Sequence, residues 1–126
     1  MAQWIVENYA DSRGRAPVDE YLKTLPPGDL ARVLRTIDLL VDYGPQLKMH
    51  HVRHLTGKIW ELRIDGRPNS YRVLYAGVPG RKFILLHVFK KKGQKTPSDE
   101  LATARRRFDD YLERLKPSHQ KRGTIS

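Results

Sequence analysis

The sequence predicts an α+β fold in which an antiparallel sheet packs against a helical hairpin and a C-terminal helix. Two stretches carry apolar residues at the three- and four-residue spacing of an amphipathic helix, one between Leu30 and Val41 and one between Leu101 and Leu115. Between them, short runs rich in aromatic and β-branched residues are typical of strands: 58–65, 69–76 and 82–90. With the elements that precede them, the predicted order is β-α-α-β-β-β-α.

The first part of the chain contains the first strand and the hairpin. Gln3–Tyr9 is β-branched and aromatic, and we predict a strand there. A helix then begins at Pro17, because proline needs no N–H at the first helical position, and ends before Pro26-Pro27-Gly28. A second helix begins at or near Asp29 and ends at Gly44, since glycine suits the residue just past a helix.

The second part is predicted to hold the remaining strands and the last helix. Gln46–Thr56 shows no clear period and is predicted to be an irregular link. Phe83–Phe89 is apolar on both faces, which favours an interior strand. Thr96 is placed to cap the final helix, with Pro97 in its first turn and Asp99 three residues after the cap.

Length and composition indicate one domain in residues 1–116, followed by a disordered basic tail at 117–126. With 126 residues, the chain can bury a core without metal or disulfide staples. It contains no cysteine, which excludes disulfides, thiolate nucleophiles and cysteine-based zinc sites. We see no signal peptide and no apolar run long enough to span a bilayer, so we expect a cytoplasmic protein without a membrane partner.

The positive charge is concentrated in one segment. Residues 48–95 contain 12 Lys and Arg but only 2 acidic residues, Glu61 and Asp65, so this segment carries as much net charge as the whole chain, +10. A cationic sheet in a small protein favours a polyanionic partner, most commonly RNA or DNA, and an affinity that falls as salt rises.

Short motifs follow one another along the predicted strands: LTGKIWELR at 55–63, YRVLY at 71–75, LHVF at 86–89, KK at 91–92 and QKTP at 94–97. In this order they resemble the RelE/ParE toxin superfamily, most closely its phage-derived HigB-like branch. The resemblance covers about residues 1–115. Two positions depart from the branch: Lys90 stands where an apolar residue is more usual, and Gly93 where a polar one is.

The resemblance implies a RelE-like fold and a toxin from a type II toxin–antitoxin module. HigB-like and RelE-like members cleave mRNA, usually in the A site of the 70S ribosome and without a metal, so no cofactor is implied. A cognate antitoxin, typically a helix-turn-helix DNA-binding protein, neutralises the toxin by covering its active surface, and operator DNA is contacted only through it. ParE-like members share the fold but inhibit DNA gyrase. A non-catalytic RNA-binding module is a further alternative.

Metal-free RNA cleavage uses the 2′-OH of the substrate as the nucleophile, and the protein must stabilise the phosphorane-like transition state. Arg63 and Arg72 are predicted on adjacent strands, from which their guanidinium groups can converge on phosphate. Lys91 or Lys92 is expected to bind phosphate or to exchange a proton, if neighbouring positive charge lowers its pKa. Glu61 either accepts the 2′-OH proton or orients Arg63. The catalytic candidates are therefore Arg63, Arg72, Lys91, Lys92, Glu61 and His54.

For several other residues, the sequence was weighed for a functional and for a structural role. His54 is expected in a basic loop near the site, and no metal site is predicted because the three histidines between 50 and 54 lack a clear carboxylate partner. His87 is expected to be a satisfied core histidine, and Trp60 to pack in the core rather than stack on bases. The run Arg105–Arg107 either follows ribosomal RNA or forms the solvent face of the last helix. Further RNA contacts are expected from Lys58, Lys82, Lys90, Lys95 and Arg81.

Overall fold

Five strands and three helices make up the part of the chain that the structure describes, residues 3–48, 50–93 and 95–116 of a computed structural model. In chain order, they are β1 Ile5–Asn8, α1 Pro17–Leu22, α2 Pro27–Tyr43, β2 Val52–Thr56, β3 Ile59–Ile64, β4 Tyr71–Val78, β5 Lys82–Lys90 and α3 Ser98–Leu115. A 3₁₀ turn, Gly44–Gln46, follows α2. The predicted tail, 117–126, lies outside these residues. Within the described ranges, no helix has both the length and the apolar character needed to cross a membrane.

The five strands form one open sheet in the order β1-β5-β4-β3-β2. Neighbouring strands are antiparallel, except that β1 pairs with β5 in parallel. The predicted α+β fold class is confirmed, with β1 as the exception to the antiparallel pattern. Strand β5 lies between β1 and β4, which confirms that Phe83–Phe89 belongs to an interior strand.

Strand β2 lies where the sequence predicted an irregular link, so that prediction is wrong for Val52–Thr56. The segment pairs with β3, placing Val52 opposite Leu62 and His54 opposite Trp60. Of its five residues only Val52 is buried, so its own side chains carry little hydrophobic pattern. Pairing with an apolar neighbouring strand makes this segment a strand, and strand formation depends strongly on such context.

The sheet separates two hydrophobic cores. On one side, which we call the hairpin face, α1 and α2 pack through residues such as Val18, Val33 and Leu40. On the opposite side, the α3 face, α3 packs through Ala104 and Phe108. Because side chains alternate along a strand and paired residues share a side, the register assigns each strand residue to one of the two faces.

The helix starts differ from the predicted ones in two places. Helix α2 begins at Pro27, two residues before Asp29, since proline fits the first helical position. Asp29 is buried and accepts a hydrogen bond of 2.6 Å from the Tyr71 hydroxyl, which ties the helix to β4. Helix α3 has Pro97 at its N-cap and no side-chain cap, so the prediction that Thr96 caps it is wrong.

Candidate active surface

Cationic side chains from neighbouring strands meet around one buried glutamate on the α3 face. The register places Arg63 directly opposite Arg72 and Arg53 directly opposite Glu61. Side chains in such pairs lie about 5 Å apart at Cβ and on the same side of the sheet. Glu61 is also opposite Leu74, a member of the α3-face core. We call the four cations around Glu61 the cationic cluster: Arg53, Arg63, Arg72 and Lys91.

Glu61 is held in the floor of this cluster. Its side chain is fully buried, with the residue only 2% exposed. One carboxylate oxygen lies 3.9 Å from Nε of Arg72, and the other accepts a hydrogen bond from the Thr96 hydroxyl. Glu61 therefore faces Arg72, and the segment before α3 fixes its orientation.

Arg72 is itself almost fully buried, at 4% exposure. Its Nη1 donates to Oδ1 of Asp65 at 3.0 Å and to the carbonyl of Tyr71 at 2.9 Å. Its Nε is buried without a hydrogen-bond partner among the described residues, and so is Nε of Arg63. An unsatisfied buried donor costs about 1–3 kcal/mol, so the two nitrogens lower the stability of the folded chain.

Lys91 lies at the end of β5, where its backbone N–H donates to the carbonyl of Ser70 at 2.8 Å. Desolvation lowers the pKa of Lys91, and the charges of Arg72, Arg63 and Arg53 lower it further, while Glu61 opposes the shift. The pKa of Lys91 is therefore shifted in the direction that a proton-exchanging lysine requires. Lys92 and Lys95 are exposed beside the cluster, on the segment that leads to α3.

His54 does not lie where the sequence predicted it. It is part of β2, opposite Trp60, and therefore on the hairpin face of the sheet. Its Nε2 is 2.8 Å from the carbonyl oxygen of Gly57, and its ring packs edge-on against Trp60 at 5.0 Å between centroids. The expectation that His54 lies in a basic loop near the site is wrong, because the segment that carries it is a strand and its side chain is on the other face of the sheet.

The residues predicted to contact RNA do not all lie together on one face of the sheet. Lys90 is opposite Tyr71 and so lies on the hairpin face, whereas Lys58 is in the β2–β3 turn. Lys82 is at the start of β5, about 26 Å along the strand from Lys90. Its Nζ pairs with Glu7 at 3.0 Å, and the Arg81 guanidinium stacks 4.9 Å from the ring centroid of Trp4.

A second polar group, centred on His87, joins helix α3 to the α3 face of the sheet. His87 is half-buried between Glu100, which hydrogen-bonds its Nε2, and Arg107, which lies 3.2 Å from its Nδ1. Burial lowers the pKa of His87, and Arg107 adds to this effect, against the opposing charges of Glu100 and Asp99. His87 thus joins β5 to α3, in agreement with the structural role expected of it.

The arginine run in α3 only partly forms the solvent face of the helix. Arg105 and Arg106 are exposed, whereas Arg107 is half-buried and donates to the carbonyl of Leu86 at 2.9 Å. Trp60 is 38% exposed, so the prediction that it packs in the core is wrong.

Two contributors to the cluster were missed by sequence reasoning, Arg53 and Thr96. Arg53 was hidden because its strand was not recognised. Thr96 was assigned to helix capping, and no local pattern links it to a carboxylate 35 positions away. The identification of β2 as a strand would have been enough to place Arg53 beside Glu61.

The sheet, its helices and the cationic cluster define a small basic α+β protein with a RelE-like fold. The family model described as Phage derived protein Gp49-like (DUF891) matches residues 20–109. The chain belongs to this family, which is a RelE/ParE-like toxin family. No curated protein matches the chain.

Proposed function

We propose that this chain is the toxin of a type II toxin–antitoxin module, of the HigB-like branch, and that it cleaves mRNA on the 70S ribosome without a metal. The observation that carries the proposal is the convergence of Arg63, Arg72 and Lys91 around buried Glu61 on one face of the sheet. The action on ribosomes implies a cytoplasmic protein. A cognate helix-turn-helix antitoxin neutralises it, and operator DNA is bound only through that antitoxin.

In the proposed reaction the 2′-hydroxyl passes its proton to a water molecule of the solvent as its oxygen attacks the adjacent phosphorus, the bond to the 5′-oxygen breaks, and a cyclic phosphate and a 5′-hydroxyl form. Half-buried Arg63 contacts the phosphate oxygens and stabilises the negative charge that develops there, whereas Arg72, at 4% exposure, adds its positive charge from beneath the surface. Protonated Lys91 gives its proton to the leaving 5′-oxygen, and its lowered pKa favours that transfer.

Glu61 is assigned to positioning rather than to proton transfer. At 2% exposure, its carboxylate lies below the surface that a substrate reaches. Its two oxygens face Arg72 and the Thr96 hydroxyl. Glu61 therefore orients the guanidinium of Arg72, the second of the two roles open to it, although the partner is Arg72 rather than Arg63.

The experiment that tests the proposal is brief, tightly controlled expression followed by mapping of mRNA 5′ ends. Arg63→Ala is the informative variant, because Arg63 is only half-buried, whereas truncation of Arg72 would also perturb the core. Arg35→Ala is the matched control, since Arg35 is exposed on α2, on the other side of the sheet.

We expect new cuts within translated frames for wild type and Arg35→Ala, and none for Arg63→Ala. Cleavage that persists in Arg63→Ala, at equal protein level, would refute the assignment of the site. Growth arrest with intact mRNA would refute the nuclease and favour a gyrase-directed inhibitor of the same fold. RNA binding with a steep salt dependence but no cleavage would favour a non-catalytic module.

A further inference from the structure

The cationic cluster places a lysine amine beside arginines that suit a phosphate. Lys91 comes directly after Lys90, a hairpin-face residue, and its backbone N–H bonds the carbonyl of Ser70 at 2.8 Å, so its side chain is on the α3 face. Arg63 is on β3, two strands across the sheet, which is about 10 Å at the backbone. Side chains of this length span such a distance, so one phosphate can contact the Arg63 guanidinium and the Lys91 amine together.

Two guanidinium groups of the cluster are accessible to a ligand. Arg53 is exposed and Arg63 is half-buried, whereas Arg72, at 4% exposure, acts through its charge alone. Arg53 lies opposite buried Glu61, beside Arg63 on the same face of the sheet. The exposed carboxylate of Asp65 is 3.0 Å from Nη1 of Arg72. The accessible part of the cluster therefore presents the planar donors of two arginines, which match the oxygens of a phosphate.

The same surroundings make the amine of Lys91 more nucleophilic. Only the neutral form of an amine attacks a carbonyl carbon, and a lower pKa increases the neutral fraction at a given pH. Desolvation lowers the pKa of Lys91, and the charges of Arg72, Arg63 and Arg53 lower it further, against the opposing charge of Glu61. The cluster thus combines a phosphate-binding surface with a nucleophile.

We propose that the cluster binds acyl phosphates and that Lys91 is acylated by them without a second enzyme. An acyl phosphate is a mixed anhydride of a carboxylic acid and phosphate. Arg53 and Arg63 hold the phosphate, which brings the acyl carbon next to the amine. The neutral nitrogen attacks that carbon, the bond from the carbon to the bridging oxygen breaks, and the proton of the amine leaves with the phosphate. The products are an N-acyl lysine and inorganic phosphate, whose developing charge the arginines stabilise.

Acylation of Lys91 regulates the site. The amide that forms carries no positive charge, so the cluster attracts a polyanion less strongly. It also has no ammonium proton to give to the leaving 5′-oxygen. This consequence rests on the proposed function, whereas the modification itself does not, because it requires no RNA. The chain therefore loses nuclease activity where acyl phosphates accumulate.

The experiment treats the full-length protein with acetyl phosphate and follows the acetylation of each lysine by mass spectrometry. Chymotrypsin cleaves after aromatic residues and leucine, and so releases the segment 90–101 as one peptide. Its four lysines are distinguished by fragmentation: Lys90, Lys91, Lys92 and Lys95. Acetic anhydride, which acylates amines but carries no phosphate, is the control reagent.

We expect Lys91 to react with acetyl phosphate faster than Lys92, although Lys92 is the more exposed of the two. The preference should be smaller with acetic anhydride, and excess inorganic phosphate should slow acetylation at Lys91 alone. Arg63→Ala should slow acetylation of Lys91 by acetyl phosphate about tenfold or more, because a donor to the departing phosphate is lost, and should leave Lys92 unchanged. Arg35→Ala, on the other side of the sheet, should change neither rate.

Equal rates at Lys91 and Lys92 would overturn the proposal. A preference for Lys91 that was the same with both reagents and insensitive to phosphate would also overturn it, since no phosphate would then be bound. In a translation reaction, the loss of mRNA cleavage should follow the occupancy of Lys91 rather than that of Lys92, and cleavage that persisted with Lys91 fully acetylated would refute the regulation. Selective acetylation of a protein that cleaves no mRNA would support the modification and refute the nuclease.

Discussion

Removal of the Thr96 hydroxyl tests whether buried Glu61 is held by the segment before α3. In Thr96→Val the branched shape of the side chain is retained, but the donor to the Glu61 carboxylate is lost. The substitution also keeps the extended backbone preference of a residue that precedes proline. The change therefore isolates one hydrogen bond.

The expected loss of stability follows from the burial of the acceptor. A hydrogen bond to a charged group contributes about 1.5–3 kcal/mol. Glu61 keeps its approach to Arg72 at 3.9 Å in the variant, so part of its charge remains compensated. We expect a loss of about 2 kcal/mol, or about 6–10 °C in Tm for a chain of this size.

The control is Thr103→Val, the same substitution within α3. Its hydroxyl bonds the carbonyl of Asp99 one turn earlier at 3.0 Å, in an exposed position. Its removal should change stability by less than about 0.5 kcal/mol. Urea denaturation at pH 7 compares the two variants with wild type.

The same substitution in a Glu61→Gln variant makes the test sharper. In Glu61→Gln the acceptor is a neutral amide, and charge-assisted hydrogen bonds are about twice as strong as neutral ones. Thr96→Val should therefore cost about half as much in that background as in wild type. If Thr96→Val costs no more than Thr103→Val in wild type, the Thr96 hydroxyl does not hold Glu61 and the reasoning fails.

Three further predictions concern other parts of the fold. Gly44 has φ of 55° with ψ of −135°, and a Cβ there would overlap the Trp4 indole. Gly44→Ala should therefore lower the free energy of unfolding by at least about 1–3 kcal/mol, measured by urea denaturation. An unchanged midpoint would contradict this. Tyr71→Phe removes the donor to buried Asp29 and should cost about 1–2 kcal/mol by the same assay; a neutral result would mean that the bond is unimportant. Because the pKa of His87 is lowered in the folded protein, the histidine of the unfolded chain is protonated first as pH falls. The free energy of unfolding should therefore decrease below about pH 6.5, and less steeply in His87→Gln. Parallel curves of stability against pH for the two proteins would contradict this.

Much of the fold could be predicted from the sequence because periodicity reports burial. The stripe of α2 and the continuous apolar run of β5 both correspond to real packing surfaces. Strand β2 could not be found in this way, since four of its five residues are not buried and its stability comes from pairing with β3. An edge strand with polar side chains carries little local signal.

The part of the candidate site that depends on neighbouring strands could be predicted from the sequence. Arg63 and Arg72 were expected on neighbouring strands, and they are paired directly. The side of the sheet on which a lysine lies could not be predicted at the strand ends, and Lys90 is on the hairpin face. The contact between Thr96 and Glu61 depends on how the chain returns after β5, which no periodicity describes.

The position of Glu61 explains how two arginines can be directly opposite each other in a stable sheet. Like charges in a directly opposed pair are destabilising, and Lys91 adds a further cation at the same place. Two carboxylates compensate this repulsion: exposed Asp65, 3.0 Å from Nη1 of Arg72, and buried Glu61, 3.9 Å from its Nε. If Glu61 were also on the outer surface, it would neutralise more of the positive charge that attracts a phosphate. A buried acid can therefore stabilise the folded protein and still leave the cationic cluster attractive to a polyanion.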